Sequence, residues 1–265
     1  MNYTHFYFLG IGGIGMSAIA RYFKAKGFDV AGYDRTRSQL CEELEQEGIS
    51  IHYDDDVNLV PLAFTDKTKT LVVYTPAIPA DNREYNYFVK QGFTIQKRAQ
   101  VLGEVTRIER GLCVAGTHGK TTTSTMTAHL LKQSHVDCNA FLGGISKNYT
   151  SNLLLSDKSD LVVIEADEFD RSFHHLTPYM AVVTAVDADH LDIYGTHEAY
   201  LESFAHFTSL IQTGGCLIMK KGIELKPRLQ AGVKLYTYSA TEPADFYAEN
   251  IKIGNGKLHF DFVTP

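Results

Sequence analysis

The sequence predicts a doubly wound α/β protein in two successive units. Short apolar runs that read as buried strands alternate with stretches of helical periodicity, the pattern of parallel sheets covered by helices. Each half opens on a glycine-rich turn, Gly10-Ile11-Gly12-Gly13-Ile14-Gly15 in the first and Gly116-Thr117-His118-Gly119-Lys120-Thr121-Thr122 in the second.

Phe6-Tyr7-Phe8-Leu9 is a short buried strand, and the glycine turn after it enters a helix that runs to about Lys26. Residues 29–33 return as a strand. Residues 38–47 form a helix, with Leu40 and Leu44 at i, i+4 spacing. Leu71-Val72-Val73-Tyr74 is the next strand and ends in the loop Thr75-Pro76-Ala77-Ile78-Pro79. Residues 86–91 read as helix, 94–96 as extended and 99–108 as helix. The pattern restarts at Glu109-Arg110-Gly111, which places a boundary between a Rossmann-like domain, residues 1–107, and a second domain, residues 108–265. Leu112-Cys113-Val114-Ala115 is the strand into the second turn, with its helix over 123–133. Leu161-Val162-Val163-Ile164 and Ala181-Val182-Val183-Thr184 are further strands. From about Gly215 the character changes: 234–239 and 251–262 read as strands, the latter turning at Gly254-Asn255-Gly256.

The chain has 265 residues, 44% hydrophobic and 21% charged, with a net charge of −6, the balance of an ordinary globular protein. That charge, with no basic cluster, gives no expectation of nucleic-acid binding. Four scattered cysteines without a C-x-x-C spacing point away from disulfide or zinc frameworks and toward a reducing compartment. No signal-peptide pattern and no run of membrane-spanning length is present, so the expectation is a cytoplasmic protein without a membrane partner.

The second turn carries the clearest chemistry. Glycines let backbone N–H groups approach phosphate oxygens, Lys120 supplies a cation, and the Thr121 hydroxyl can reach Mg²⁺. The loop is shorter than G-x-x-x-x-G-K-[ST]: Val114 stands where the first glycine belongs, and the first glycine is Gly116. His118 either contacts phosphate or shapes the turn. Gly10, Gly12 and Gly15 match G-x-G-x-x-G, with Asp34 at the distance of a ribose-binding acid. A helix N-terminus accepts any pyrophosphate, so a dinucleotide, a UDP-linked substrate or a ligand-free turn all fit. Glu165-Ala166-Asp167-Glu168 follows a buried strand, where a carboxylate completes a Mg²⁺ shell, and Glu165 lies nearest the strand end. Asp187-Ala188-Asp189-His190 follows another strand, and His190 reads either as a metal ligand or as a hydrogen-bonded structural residue. His174 and His175 carry no assignment. Lys97-Arg98 reads as an anion contact or as a solvated pair.

Taken together, GIGGIGM, TPAIP, KRAQVLGEV, AGTHGKTTT, IEADEFDRSFHHLTP and DADHLDIY resemble the Mur ligase family, in order from Gly10 to about Tyr194. Within it the chain is most similar to the branch that adds L-alanine to UDP-N-acetylmuramate. The resemblance implies three domains: one for the UDP-sugar, a central ATPase domain and a third for the amino acid. It implies ATP and Mg²⁺ as cofactors and an acyl-phosphate intermediate that the amine of L-alanine attacks. By the family's pattern Gly116, Thr117, His118, Gly119, Lys120, Thr121 and Thr122 bind ATP phosphates. Thr121 and Glu165 would hold one Mg²⁺ and His190 a second, so that Lys120, Glu165 and His190 form the catalytic set. Gly10, Gly12, Gly13, Gly15, Asp34, Thr75 and Arg98 would bind the UDP-sugar.

Two positions depart from the family. Thr184-Ala185-Val186-Asp187 has alanine at 185 where asparagine is usual, which questions one nucleotide or metal contact. Residues 198–212 contain no lysine for the carbamylated lysine of several relatives, in keeping with the alanine-adding branch. The expected third domain lies beyond residue 265, so the sequence reads as a truncated ligase, its central domain incomplete and without amide-forming activity by itself. Three rival readings stand beside this one: an NAD(P)-dependent oxidoreductase, which leaves Lys120 and Glu165 without a role; a non-catalytic nucleotide-binding module; and a related ligase that adds another amino acid or peptide.

Overall fold

The computed structural model describes residues 3–265 and divides into two compact units. One comprises the chain to Val105 together with Asp137–Ser159, the other Thr106–Val136 with Asp160–Pro265. Among the described residues no helix is long and apolar enough to cross a membrane.

The first unit is built on a five-stranded parallel sheet of β1 (His5–Leu9), β2 (Asp29–Tyr33), β3 (Ser50–His52), β4 (Thr70–Tyr74) and β5 (Thr94–Lys97), in the order β3-β2-β1-β4-β5. Phe6, Tyr7, Phe8 and Leu9 are all fully buried, as a central strand covered on both faces requires. The strand order reverses at β1, so the crevice beyond the carboxyl ends of β1 and β4 is the switch point where such sheets bind ligands. The Gly10 turn leaves β1 there, and Thr75 follows β4. β3 escapes the sequence pattern because three residues cannot display a period.

Helix α1 (Ile14–Ala25) buries Met16, Ala18, Ile19, Ala20, Tyr22 and Phe23. Ser38 caps α2 (Gln39–Gln46) by accepting from the Cys41 N–H. Helix α3 (Arg83–Gln91) begins three residues before the predicted start at 86. Asn82 Oδ1 accepts from Tyr85 N–H, and the Asp55 carboxylate accepts from Arg83 and Glu84 N–H, so two acceptors satisfy its first turn. Helix α4 spans Arg98–Ile108.

The compact units are not contiguous in the chain. Residues 137–159, on the far side of the expected boundary at 107/108, cluster with the first unit. They contain the antiparallel strands β7 (Asn139–Ser146) and β8 (Ser151–Leu154), which pack on α1. The fully buried Asn152 ties them to α1: its Nδ2 donates to the Ile14 carbonyl at 2.5 Å and to Ser17 Oγ at 2.9 Å, while Arg21 Nη1 donates to its Oδ1 at 2.9 Å. A buried amide with its polar atoms paired specifies one docking position as well as stabilising it.

In the second unit β6 (Arg110–Ala115), β9 (Leu161–Glu165), β10 (Pro178–Val183), β11 (Cys216–Lys220), β12 (Lys234–Ser239), β13 (Phe246–Gly254) and β14 (Lys257–Val263) run in the order β14-β13-β12-β11-β10-β6-β9. All neighbouring pairs are parallel except β13 and β14. Those two form a hairpin turning at Asn255-Gly256, both with positive φ, the conformation that favours this dipeptide. The predicted strand over 251–262 is thus the turn and flanks of a longer ribbon that starts at Phe246. Helix α5 (Lys120–Gln133) follows β6, α6 (Leu191–Tyr194) and α7 (His197–Ser209) lie between β10 and β11, and Thr196 caps α7.

Candidate functional site

Strands β10, β6 and β9 are neighbours running in one direction, so their carboxyl ends lie side by side. The loop 116–119 leaves β6, Glu165 ends β9, and Thr184 follows β10. Three segments distant in sequence therefore converge at one edge of the sheet. Helix α5 starts at Lys120 itself, three residues before the predicted 123. Its cap is Gly119, at φ 84°, with no side-chain cap hydrogen bond. The first-turn N–H groups of α5 are left for an anion, with the positive end of the helix dipole behind them.

Within this edge Thr121 Oγ1 donates to Glu165 Oε1 at 2.9 Å. Lys120 Nζ donates to the Gly116 carbonyl and to Glu168 Oε1, both at 2.8 Å. His190 Nε2 lies 3.8 Å from the same Glu168 oxygen. The residue is held at φ 51° in the left-handed region as the cap of α6, its ring edge-on to Phe169. Lys120, Thr121, Glu165 and His190 are thus brought to one edge, Lys120 and His190 linked through Glu168 and Thr121 bonded to Glu165.

Glu168 was missed. It is 1% exposed, and the Tyr194 hydroxyl donates to its backbone carbonyl. The surplus of acidic residues over 165–170 was its only sequence signal. The backbone turns irregularly just after Glu168, with Asp170 and Arg171 in the left-handed region (φ 50° and 53°).

Thr117 and the backbone carbonyl of His118 hold the loop to the segment after β10. Thr117 Oγ1 donates to the Asp187 carbonyl at 2.8 Å and pairs with the Tyr200 hydroxyl at 3.0 Å, and Thr117 N–H donates to the Ala185 carbonyl. The carbonyl of His118 accepts from Thr184 Oγ1 at 2.5 Å. Residues 184–187 hold the loop through the Thr184 hydroxyl and the Ala185 and Asp187 carbonyls. His174 packs against α7. Its Nε2 lies 2.9 Å from Ser203 Oγ and 3.1 Å from the Ser203 carbonyl on α7, and the ring stacks on Phe173. Burial holds its pKa down at about 4. The backbone carbonyl of His175 accepts from Arg107 Nη2.

Among the described residues no group of three or more His, Cys, Asp and Glu side chains is arranged to enclose a metal ion. The donors still fit Mg²⁺, which keeps waters and takes one or two carboxylates together with substrate phosphates. The supporting observation is that Glu165 Oε2 and Glu168 Oε2 are buried and lack a hydrogen-bond partner. Such atoms are costly unless a cation or donor arrives.

The first unit presents a second uncapped helix start at the switch point. Helix α1 starts after Gly13 without a side-chain cap, so its leading N–H groups are also available. Gly10 has φ 82°, and a Cβ there would stand 2.7 Å from Thr75 Cγ2. A Cβ on Gly15 would meet Arg98 Nη1 at 2.6 Å, so the guanidinium lies directly over the start of α1. Asp34 is turned inward: its Oδ2 accepts from Gly12 N–H at 2.8 Å and its Oδ1 from Thr36 N–H at 2.9 Å. The expected ribose acid thus also braces the turn.

Residues 114–265 match the family model described as the Mur ligase middle domain, and residues 5–110 match the Mur ligase family, catalytic domain. The UDP-N-acetylmuramate–L-alanine ligase of Parabacteroides distasonis is 68% identical over 262 residues, covering 99% of this chain and 57% of the relative. The ligase of the same name from Phocaeicola vulgatus is 67% identical over 259 residues, covering 98% and 56%. Among solved structures, UDP-N-acetylmuramate–alanine ligase from Thermotoga maritima superimposes with a TM-score of 0.75 at 27% identity, covering 93% of this chain and 55% of that one. The chain therefore spans little more than half the length of the relatives it matches.

Proposed function

The chain belongs to the Mur ligase family, and from that premise we propose that it binds ATP at Gly116–Thr122 and UDP-N-acetylmuramate at the Gly10–Gly15 turn. It would do so as part of an ATP-dependent ligase that joins L-alanine to the muramoyl carboxylate. The observation that carries the nucleotide assignment is the contact of Thr121 with Glu165 at the uncapped start of α5, beside Lys120. The substrate assignment rests on the relatives named above. The division of labour assigns the sugar nucleotide to residues 1–107 and ATP to 108–265, less residues 137–159, which pack with the first unit.

In this reading a muramoyl carboxylate oxygen attacks the γ-phosphorus of ATP, and ADP leaves. The amine of L-alanine then attacks the acyl carbon, the nitrogen loses its proton, and inorganic phosphate departs from the tetrahedral intermediate to leave the amide. Lys120 and the first-turn N–H groups of α5 hold the phosphates and disperse the charge that moves during transfer. Thr121 and Glu165 would hold one Mg²⁺, with His190 directed to a second. The ions would neutralise the polyphosphate so that a carboxylate can approach it. Gly10, Gly12, Gly13 and Gly15 let the UDP pyrophosphate reach the start of α1, with Arg98 as counter-ion, Thr75 at the opposite wall and Asp34 at the ribose.

Calorimetry tests both assignments. ATP with Mg²⁺ is expected to bind this chain, and Lys120→Ala to abolish that binding while leaving UDP-N-acetylmuramate binding intact. Absence of ATP binding by the parent at millimolar ligand overturns the nucleotide assignment. In a protein extended to the length of the relatives, phosphate release should require UDP-N-acetylmuramate and, among a panel of amino acids, L-alanine. Release that follows another amino acid overturns the L-alanine assignment.

A further inference from the structure

The loop lysine is neutralised before any phosphate reaches it. Lys120 Nζ sits 2.8 Å from Glu168 Oε1, with the two side chains 15% and 1% exposed. The Glu168 side chain is buried, its second oxygen lies without a hydrogen-bond partner, and its backbone carbonyl is held by the Tyr194 hydroxyl. An oxygen gripped by Lys120 at about 2.8 Å would stand at most about 6 Å from Glu168 Oε1. At that range two like charges repel substantially even at an effective dielectric near 20. Glu165 adds a further negative charge at the same edge. Arg171 does not offset it at the loop, since its guanidinium lies over the Tyr194 ring, 4.8 Å from the centroid.

Resting on the nucleotide reading above, we propose that Glu168 is a specificity-determining residue that makes this loop accept a polyphosphate only as its divalent-cation complex. Bare polyphosphate must compete with a buried carboxylate for Lys120 and pays repulsion on arrival. A polyphosphate carrying a divalent cation brings a charge that the unpartnered oxygens of Glu168 and Glu165 attract. The same carboxylate thus discriminates against the free nucleotide and favours the loaded one.

The test is a thermodynamic cycle on this chain, with ATP titrated in Mg²⁺ and in EDTA. Glu168→Gln keeps the size of the side chain and an acceptor for Lys120 but removes the charge. It is expected to tighten cation-free ATP binding by about 10-fold or more and to shrink the ratio of affinities with and without Mg²⁺ by at least that factor. Glu168→Asp, which keeps the charge, should retain most of the parent ratio. In a Lys120→Ala background the tightening of cation-free binding should shrink well below 10-fold. A merely structural role would weaken binding in both conditions and leave the ratio unchanged, and that result overturns the inference. Should Glu168→Gln fail to fold, Glu168→Met carries the same comparison. If the parent binds ATP in neither condition, the nucleotide assignment itself falls, and this inference with it.

Discussion

Thr184 Oγ1 donates to the carbonyl of His118 at 2.5 Å, bridging the end of β10 to the phosphate loop. This hydroxyl lies within 3.2 Å of the Ala115 carbonyl as well, and it fills the space a side chain at residue 116 would need. The Thr184 side chain therefore helps set the shape of the loop in this chain.

Gly116→Ala should collapse that arrangement. Gly116 has φ 137°, and an added Cβ would meet Thr184 Oγ1 at 2.1 Å and the Ala185 backbone at 2.9 Å. Backbone strain and overpacking together should cost about 3 kcal/mol, read as a lower urea midpoint, with ATP binding lost. Thr184→Val should cost about 1 kcal/mol, the worth of one hydrogen bond.

Arg98 lies over Gly15, so Arg98→Ala and Gly15→Ala report on one anion site from opposite sides. Removing the guanidinium should weaken UDP-N-acetylmuramate by about 10-fold, the order of one charge-assisted contact, and the added methyl should do the same by displacing it. Neither should change ATP affinity, as paired titrations would show.

Asn152 joins β8 to α1 through three hydrogen bonds inside the first unit. Asn152→Leu removes the acceptor of Arg21 Nη1 and a donor to Ser17, whose hydroxyl keeps the Ile14 carbonyl, and it should destabilise that unit by about 2 kcal/mol. Hydrogen exchange localised to α1 and residues 139–154 would check it.

A buried carboxyl makes stability fall with pH. The Tyr7 hydroxyl donates to Glu84 Oε2 at 2.6 Å and lies 2.8 Å from His52 Nε2, with Glu84 fully buried. Burial pushes the Glu84 pKa up to about 7. The folded state then binds more protons than the unfolded state between the ordinary carboxyl value and about 7, so this contribution is present in acid and lost as pH rises through that window. His174 acts in the opposite sense. Its pKa is held down at about 4, so its contribution is present above the ordinary histidine value and lost as pH falls. Glu84→Gln should flatten the first slope and His174→Phe the second, measured as urea midpoints from pH 4.5 to 8.

The convergent loops were legible because their chemistry lies in short contiguous runs. Gly116 to Thr122 and Glu165 stand at the ends of apolar strands, His190 lies in the segment that follows another, and a parallel sheet brings such ends to one edge. Glu168 was not legible, since four carboxylates over 165–170 differ only in where an irregular turn points them. The short β3, the hairpin β7–β8 and β11 also escaped the periodicity. Three to eight residues with mixed faces say little about burial until a helix such as α1 is there to cover them.

From composition, spacing and motif, the sequence by itself determined a doubly wound α/β chain with two glycine turns and a lysine loop. These features are local, and backbone sterics and helix N-termini impose them wherever they occur. The tertiary structure alone decided that residues 137–159 pack with the first unit. It alone decided that Asp34 braces the turn beside it, and that Lys120 already has a buried carboxylate for a partner. Those outcomes depend on contacts between residues far apart in the chain, and their energies exist only once the surrounding core has excluded water.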